Sequence, residues 1–265
     1  MMEKIVIGRY VPQNSIIHRL DPRSKLLFVF LFIVVVFLAN NGITYGVLAL
    51  FTFSLVLLTK ISYVFLVNGL KPVLWLIVFT FLLHVFFTKE GSVVIDIGLL
   101  KVYEEGLRQG IFISLRFLLL IIVTSLLTLT TTPISLTDGL EALFGPLKKI
   151  NMPVHEIALM MSISLRFIPT LMEETDKIMK AQSARGSDLA SGSIKGRLQA
   201  VVPLLIPLFV SSFKRAEDLA IAMETRGYRG GEGRTKYRQL NWKLSDTVSL
   251  LSLLAVALVL YLLRS

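Results

Sequence analysis

Apolar positions along this chain follow two patterns. Up to residue 129 and again from 244 they form nearly unbroken blocks, whereas between 137 and 243 they thin to helical spacing among frequent charges. The first pattern predicts helices solvated by lipid, since about 20 apolar residues cross a ~30 Å hydrocarbon core. The first block, 26–39, follows Asp21-Pro22-Arg23-Ser24-Lys25, which reads as a helix start with Asp21 as cap and Pro22 at the first helical position. Arg23 and Lys25 are expected to snorkel to the interface. The Asn40-Asn41-Gly42 turn returns the chain through 43–58 to Lys60, so the first two spans form a hairpin. A third block is broken by Asn68, Gly69, Lys71 and Pro72, and 73–87 alone is short for a crossing. It predicts one long helix kinked near Pro72, or an interfacial helix followed by a tilted span. Residues 88–105 read as a polar connection, outside the membrane because Lys and Arg are sparse there. The fourth span, 106–129, carries Arg108 and Arg116 two turns apart and closes on Thr130-Thr131-Thr132-Pro133, and the last, 244–263, has Asp246 near its start.

The second pattern predicts amphipathic helices outside lipid. Over 138–243, 16 Lys and Arg exceed 11 Asp and Glu, which assigns this block to the cytoplasm. Pro153 opens a helix to about residue 184, bent near Pro169, and a second runs from Ile194 to about 225, bent near Pro203 and Pro207. In the second, Val210, Phe213, Ala216, Ala220 and Met223 form one stripe that faces protein, with Lys214, Arg215, Glu217 and Asp218 opposite. Ala216 and Ala220 are a small-residue pair that permits close helix approach. Residues 230–238 read as a flexible basic loop.

Both helices end alike, in Ala184-Arg185-Gly186 and Thr225-Arg226-Gly227, with the arginines 41 positions apart (185 to 226). An arginine in the last turn with a capping glycine leaves a five-donor guanidinium projecting from a defined point. One such end would be an ordinary cation at the negative pole of a helix. Two matching ends point to docking against carboxylates of a partner protein.

Mean hydropathy is +0.71, with 54% apolar and 17% charged residues, which requires a polytopic membrane protein. The expected fold is all-α, with five transmembrane helices: residues 1–136 hold the first four, 137–243 the cytoplasmic helices and 244–265 the last. That count puts the N-terminus and the 137–243 block inside and the C-terminus outside. A net charge of +10 suits loops beside an anionic leaflet better than nucleic acid. No cysteine is present, which excludes disulfides, iron–sulfur ligation and thiol catalysis. Arg116 inside a span is costly in lipid and is expected to be buried in a structural role, or, with His84, to serve an ion- or proton-coupled carrier. His155-Glu156 lacks the second histidine of a zinc helix, since Leu159 stands there. Glu104-Glu105 and Glu173-Glu174 with His84, read as a membrane protease, match no catalytic spacing, and a membrane hydrolase would rest on Glu173, Glu174 or His155. Without a Gly-rich loop ending in Gly-Lys-Ser or Gly-Lys-Thr, the chain should not hydrolyse nucleotide itself.

With these segments in order, the sequence resembles the EcfT family, the transmembrane coupling subunit of energy-coupling factor ABC transporters, which also includes the cobalt-transporter membrane subunit. The resemblance is carried by residues 20–26, Thr131-Thr132-Pro133, Pro146-Leu147-Lys148, Leu165-Arg166-Phe167-Ile168-Pro169, 181–186 and 215–228. It implies an L-shaped scaffold joining two cytoplasmic ABC ATPases of the EcfA type, which hold ATP and Mg, to a membrane-embedded S-component that captures a vitamin or metal ion. No cofactor or metal would bind this chain directly. The resemblance gives Arg185 and Arg226 the role of docking into the two ATPases, with Ala184, Gly186, Thr225 and Gly227 shaping the helix ends. It places the S-component against Leu204, Leu205, Leu208, Phe209, Val210, Phe213, Ala216, Ala220 and Met223. Asp21, Pro22, Arg23, Arg116, Arg166, Pro169, Pro203 and Pro207 are expected to be structural. Thr225 departs from the family's usual alanine or serine, and Ser24 from its threonine.

Overall fold

The computed structural model describes residues 10–97, 100–186, 194–230 and 239–264, without side-chain detail at 95–97, 100–101 and 194–200. Most of the expected basic loop, 231–238, lies outside the described residues. The described chain forms helices α1 (Pro22–Val36), α2 (Gly42–Thr59), α3 (Tyr63–Phe87), α4 (Glu104–Thr130), α5 (Pro133–Phe144), α6 (Val154–Ala184), α7 (Ile194–Thr225) and α8 (Leu244–Leu262). A short 3₁₀ segment, Gly145–Ile150, precedes α6. The connection between α3 and α4 holds an antiparallel hairpin, β1 (Val93–Ile97) and β2 (Leu100–Tyr103), where the polarity pattern predicts only a connection. Alternation in Val93-Val94-Ile95-Asp96-Ile97 is too brief to register beside the long apolar blocks. The third block is one helix running through Pro72.

The chain divides into two compact units, Met1–Leu143 with Gln239–Ser265, and Phe144–Arg238. In the first unit α1, α2, α4 and α8 enclose a core that includes Phe32, Val36, Leu48, Leu119, Val123, Leu253 and Leu260. Outside it, Leu50, Trp75 and Phe87 are each more than 70% exposed, an outer surface suited to lipid rather than water. α3 packs on α4 across Gly106 and Gly110, where an added Cβ would sit 2.9 Å from the His84 carbonyl oxygen and 3.1 Å from the Phe81 ring. This small-residue pair lets the two backbones approach, and its spacing was visible in Gly106-Leu-Arg-Gln-Gly110.

Among the described residues five helices are long and apolar enough to cross a membrane, but α6 is among them and α1 is not. α1 has 15 residues, because Phe37, Leu38 and Ala39 continue it only as tight turns bonded three residues back. α6 qualifies with the lowest mean hydropathy of the five, 1.2. Its first half is apolar, while Glu173, Glu174, Asp176, Lys177 and Lys180 collect in its second.

Asp21 caps α1 as the sequence predicts, accepting the Arg23 amide, with Pro22 in the first turn. The expected snorkelling of Lys25 is not what the structure holds. Lys25 is buried, and its Nζ donates to the Thr130 carbonyl at 2.9 Å and to Thr131 Oγ1 at 3.1 Å, at the end of α4. Arg23 also turns inward, donating to both Asp21 carboxylate oxygens at 3.0 Å and to the Leu240 carbonyl at 3.3 Å, with its guanidinium over the Trp242 ring. Burial pushes the Asp21 carboxyl up, but the hydrogen bonds and charge of Arg23 outweigh it and hold the group below its ordinary value. Asp246, fully buried, completes the knot by accepting from the Asp21 amide, Ser24 Oγ and the Lys243 amide, each at 2.7 Å. Unpaired buried carboxylates and ammonium groups cost several kcal/mol. Satisfying them jointly therefore fixes the near ends of α1, α4 and α8.

Candidate partner-docking site

The second unit is built on α6 and α7, which pack on each other. Contact runs from Gln182 near Pro203 to Glu174 near Ser211 and Arg215, so the chain doubles back on itself. Glu174 Oε1 accepts from Ser211 Oγ and its Oε2 from Arg215 Nη2, both at 2.6 Å. Pro207 lacks an amide and so leaves the Pro203 carbonyl without its helical donor. Gln182 Nε2 donates to that carbonyl at 3.4 Å. Both helices are continuous through their prolines, Pro169 in α6 and Pro203 and Pro207 in α7.

The covered side of α7 carries Leu204, Leu208, Ser211, Arg215, Leu219, Ala222 and Met223, all part-buried. Arg215, which the polarity pattern puts on a solvated face, is therefore inside the helix pair. The apolar stripe is the open side: Phe209 is 60%, Val210 65% and Phe213 73% exposed, with Leu205, Ala216 and Ala220 exposed beside them. Of the nine residues assigned to an S-component, Leu204, Leu208 and Met223 thus share the covered side. The ion pair and the part-buried leucines lie between the helices, and the apolar stripe is left open among the described residues of this unit. Arg166 is exposed on α6.

The two arginine ends have the geometry their tripeptides imply. Arg185 caps α6, its amide bonding to Ala181 and Gln182, and Gly186 follows at φ +84°, its amide bonding to Ser183. At the end of α7, Gly227 lies at φ +74°, its amide bonds to Glu224 and that of Tyr228 to Met223. Those two bonds are the glycine-terminated Schellman closure, in which only glycine is unstrained at the left-handed residue. Ala184, Arg185, Gly186, Thr225, Arg226 and Gly227 are all exposed, and the Thr225 hydroxyl is spent on the Ala222 carbonyl. Among the described residues neither guanidinium has a partner.

The ion pair and the arginine ends share one offset. Glu174 and Arg215 are 41 residues apart, as are Arg185 and Arg226, so each arginine stands 11 residues beyond its own helix's member of the bridge. At about 1.5 Å per residue both arms are ~16 Å long. Glu174→Ala is expected to broaden the distance distribution between spin labels at Ser183 and Glu224, measured by pulsed electron resonance. An unchanged distribution would mean that the bridge does not set the arms.

The alternative catalytic groupings are not assembled. His84 lies level with Gly106 across the α3–α4 contact, while Arg116 is ten residues further along α4, about 15 Å away at helical rise. Arg116 stacks over the Phe37 ring at 4.8 Å with its Nε buried, a packing role. Glu174 is engaged by Arg215, and His155 lies 19 residues earlier on the same helix, about 28 Å along it. No group of three metal-ligating side chains occurs among the described residues.

A family model described as cobalt transport protein, CbiQ, matches residues 13–237. The energy-coupling factor transporter transmembrane protein EcfT of Bacillus subtilis strain 168 is 63% identical over 265 residues, covering all of both chains. The chain belongs to the EcfT family. EcfT proteins of Listeria innocua and Macrococcus caseolyticus are 56% and 54% identical over the full length of both chains. This EcfT-family chain is therefore a transmembrane component of an energy-coupling factor transporter, and α1–α4 with α8 give it a membrane-suited body. The segments that carried the resemblance, 165–169 in α6 and 215–228 at the end of α7, fall within the matched range.

Proposed function

We propose that this EcfT-family chain is the non-catalytic coupling subunit of an energy-coupling factor importer in the cytoplasmic membrane of a prokaryote. Arg185 and Arg226 dock two cytoplasmic ABC ATPases of the EcfA type, which carry ATP and Mg. The open stripe of α7, through Leu205, Phe209, Val210, Phe213, Ala216 and Ala220, meets the membrane-embedded S-component that holds a vitamin or metal ion. The N-terminus and the second unit lie in the cytoplasm and the C-terminus outside, with α1, α2, α3, α4 and α8 as the crossings. The observation that carries this reading is the pair of equivalent, glycine-terminated helix ends, each presenting an unpartnered guanidinium at the same distance from a shared ion pair. A guanidinium fork recognises a carboxylate bidentately, and a rigid helix transmits its displacement as a unit.

The alternative, a self-sufficient carrier using Arg116 and His84, gains nothing from groups about 15 Å apart along the helix axis. Purified alone into liposomes, the chain is expected to move no solute under an ion gradient. Purified from its native membrane, it should bring ATPase chains with it and support uptake only with ATP. Gradient-driven uptake by the lone chain would defeat the coupling reading.

A further inference from the structure

The helical body of the first unit is not filled along its whole length. Beside the Asp21 cap a cavity of about 370 Å³ opens among α1, α2, α4 and α8, within the ~300–1,000 Å³ range of ligand pockets. Phe28, Phe51, Leu55, Val123, Leu126 and Val248 line it. Most of its polar groups are already committed. Ser54 donates to the Phe51 carbonyl, Ser249 to the Asp246 carbonyl and Ser252 to the Ser249 carbonyl, and Lys25 is held by Thr130 and Thr131. The wall is hydrocarbon in effect, and such a space does not hold water stably.

A second cleft, of about 320 Å³, adjoins the first through Ile16 and Leu58 and carries Arg19 and Lys60 beside Asn14 and Ser15. No acidic residue lines either space. Arg19 and Lys60 are exposed, and neither is ion-paired among the described residues. Among the described residues, Lys60 is also one of two non-glycine residues at positive φ, at +56°, closing α2 through its amide to the Leu57 carbonyl. Glycine is the residue that geometry favours. A cation held at a backbone position suited to glycine indicates that its charge is used.

We propose that the two spaces form one binding site for an anionic phospholipid. An acyl chain enters the apolar cavity and the phosphate sits between Arg19 and Lys60. The α2 residues lining the cavity run from Phe51 to Leu58, about 10 Å of helix, deep enough for the headgroup-proximal part of a chain. Charge complementarity selects an anionic headgroup, because a zwitterionic one would bring its own ammonium against two cations.

The test uses the full-length chain, purified with the chains that accompany it and exchanged into vesicles of phosphatidylglycerol or phosphatidylcholine with identical acyl chains. Lipid retained on the protein is then counted by native mass spectrometry. Phosphatidylglycerol should be retained about tenfold better than phosphatidylcholine. The Arg19→Gln, Lys60→Gly double variant should lose that preference, and since Lys60→Gly relaxes the backbone, misfolding does not explain the loss. Leu55→Trp, which fills the cavity, should displace the lipid while leaving Arg19 and Lys60 in place. Equal retention of the two lipids, or a double variant that behaves like the parent, would overturn the proposal. So would retention unaffected by Leu55→Trp, competition by inorganic phosphate, or cross-linking of Ser54→Cys to a partner protein instead of to lipid.

Discussion

If Arg185 and Arg226 dock ATPases as proposed, Arg185→Ala together with Arg226→Ala should release those chains while the fold of this subunit survives. Both side chains are exposed, neither has a partner among the described residues, and the helices are closed by Gly186 and Gly227 rather than by the arginines. Truncation at such positions changes folding by about 0.5 kcal/mol or less. Docking is different, because a partner carboxylate that loses its guanidinium is left desolvated and unpaired, at a cost of roughly 2 to 5 kcal/mol per arginine. Even the lower figure is about a 30-fold loss of affinity at one end. Arg→Lys at both positions should restore little, since an ammonium cannot reproduce a two-bond fork. Co-purification of ATPase chains and ATP-dependent uptake are the measurements. Undiminished values for both in the double alanine variant would remove the arginine ends from the coupling pathway.

Asp246→Ala should be among the most destabilising substitutions in the first unit. Its two oxygens accept from the Asp21 amide, Ser24 Oγ and the Lys243 amide, all at 2.7 Å, and it is fully buried. Alanine leaves the Asp21 and Lys243 amides without that acceptor, leaves Ser24 Oγ only the Asp21 carbonyl at 2.8 Å, and removes a negative charge from a knot that also contains buried Lys25. The expected loss is about 3 to 5 kcal/mol. Ser24→Ala gives up one hydrogen bond and should cost about 1 kcal/mol. Thermal unfolding of the detergent-solubilised chain reads both, and comparable stability of the two variants would mean that Asp246 does not hold the knot.

What the sequence disclosed was governed by how local the signal is. The Asp21-Pro22 start, the bounds of α7 and both arginine–glycine endings depend on neighbours within a few residues, so capping rules were enough. Asp246 was recognisable only as an acid near the start of a span, because two of its three partners, the Asp21 amide and the Ser24 hydroxyl, are more than 220 residues away. Lys25 seemed destined for the interface for the same reason: its acceptors are the Thr130 carbonyl and Thr131 hydroxyl, and a carbonyl is invisible in a side-chain pattern. On the charged face of α7 only Arg215 departed from the expectation: Lys214, Glu217 and Asp218 are exposed, while Arg215 is part-buried beside Glu174. Hydrophobic periodicity reports which side avoids water, not which neighbour covers it.

The repeated interval between bridge and arginine has a mechanical corollary. If the Glu174–Arg215 contact is the fulcrum, equal pushes on the two tips produce opposite and balanced moments about it, and unequal pushes produce a net rotation. If two ATPases dock on these tips as proposed, a subunit so proportioned would answer to the difference between them, remaining at rest when both act alike and swinging when one leads.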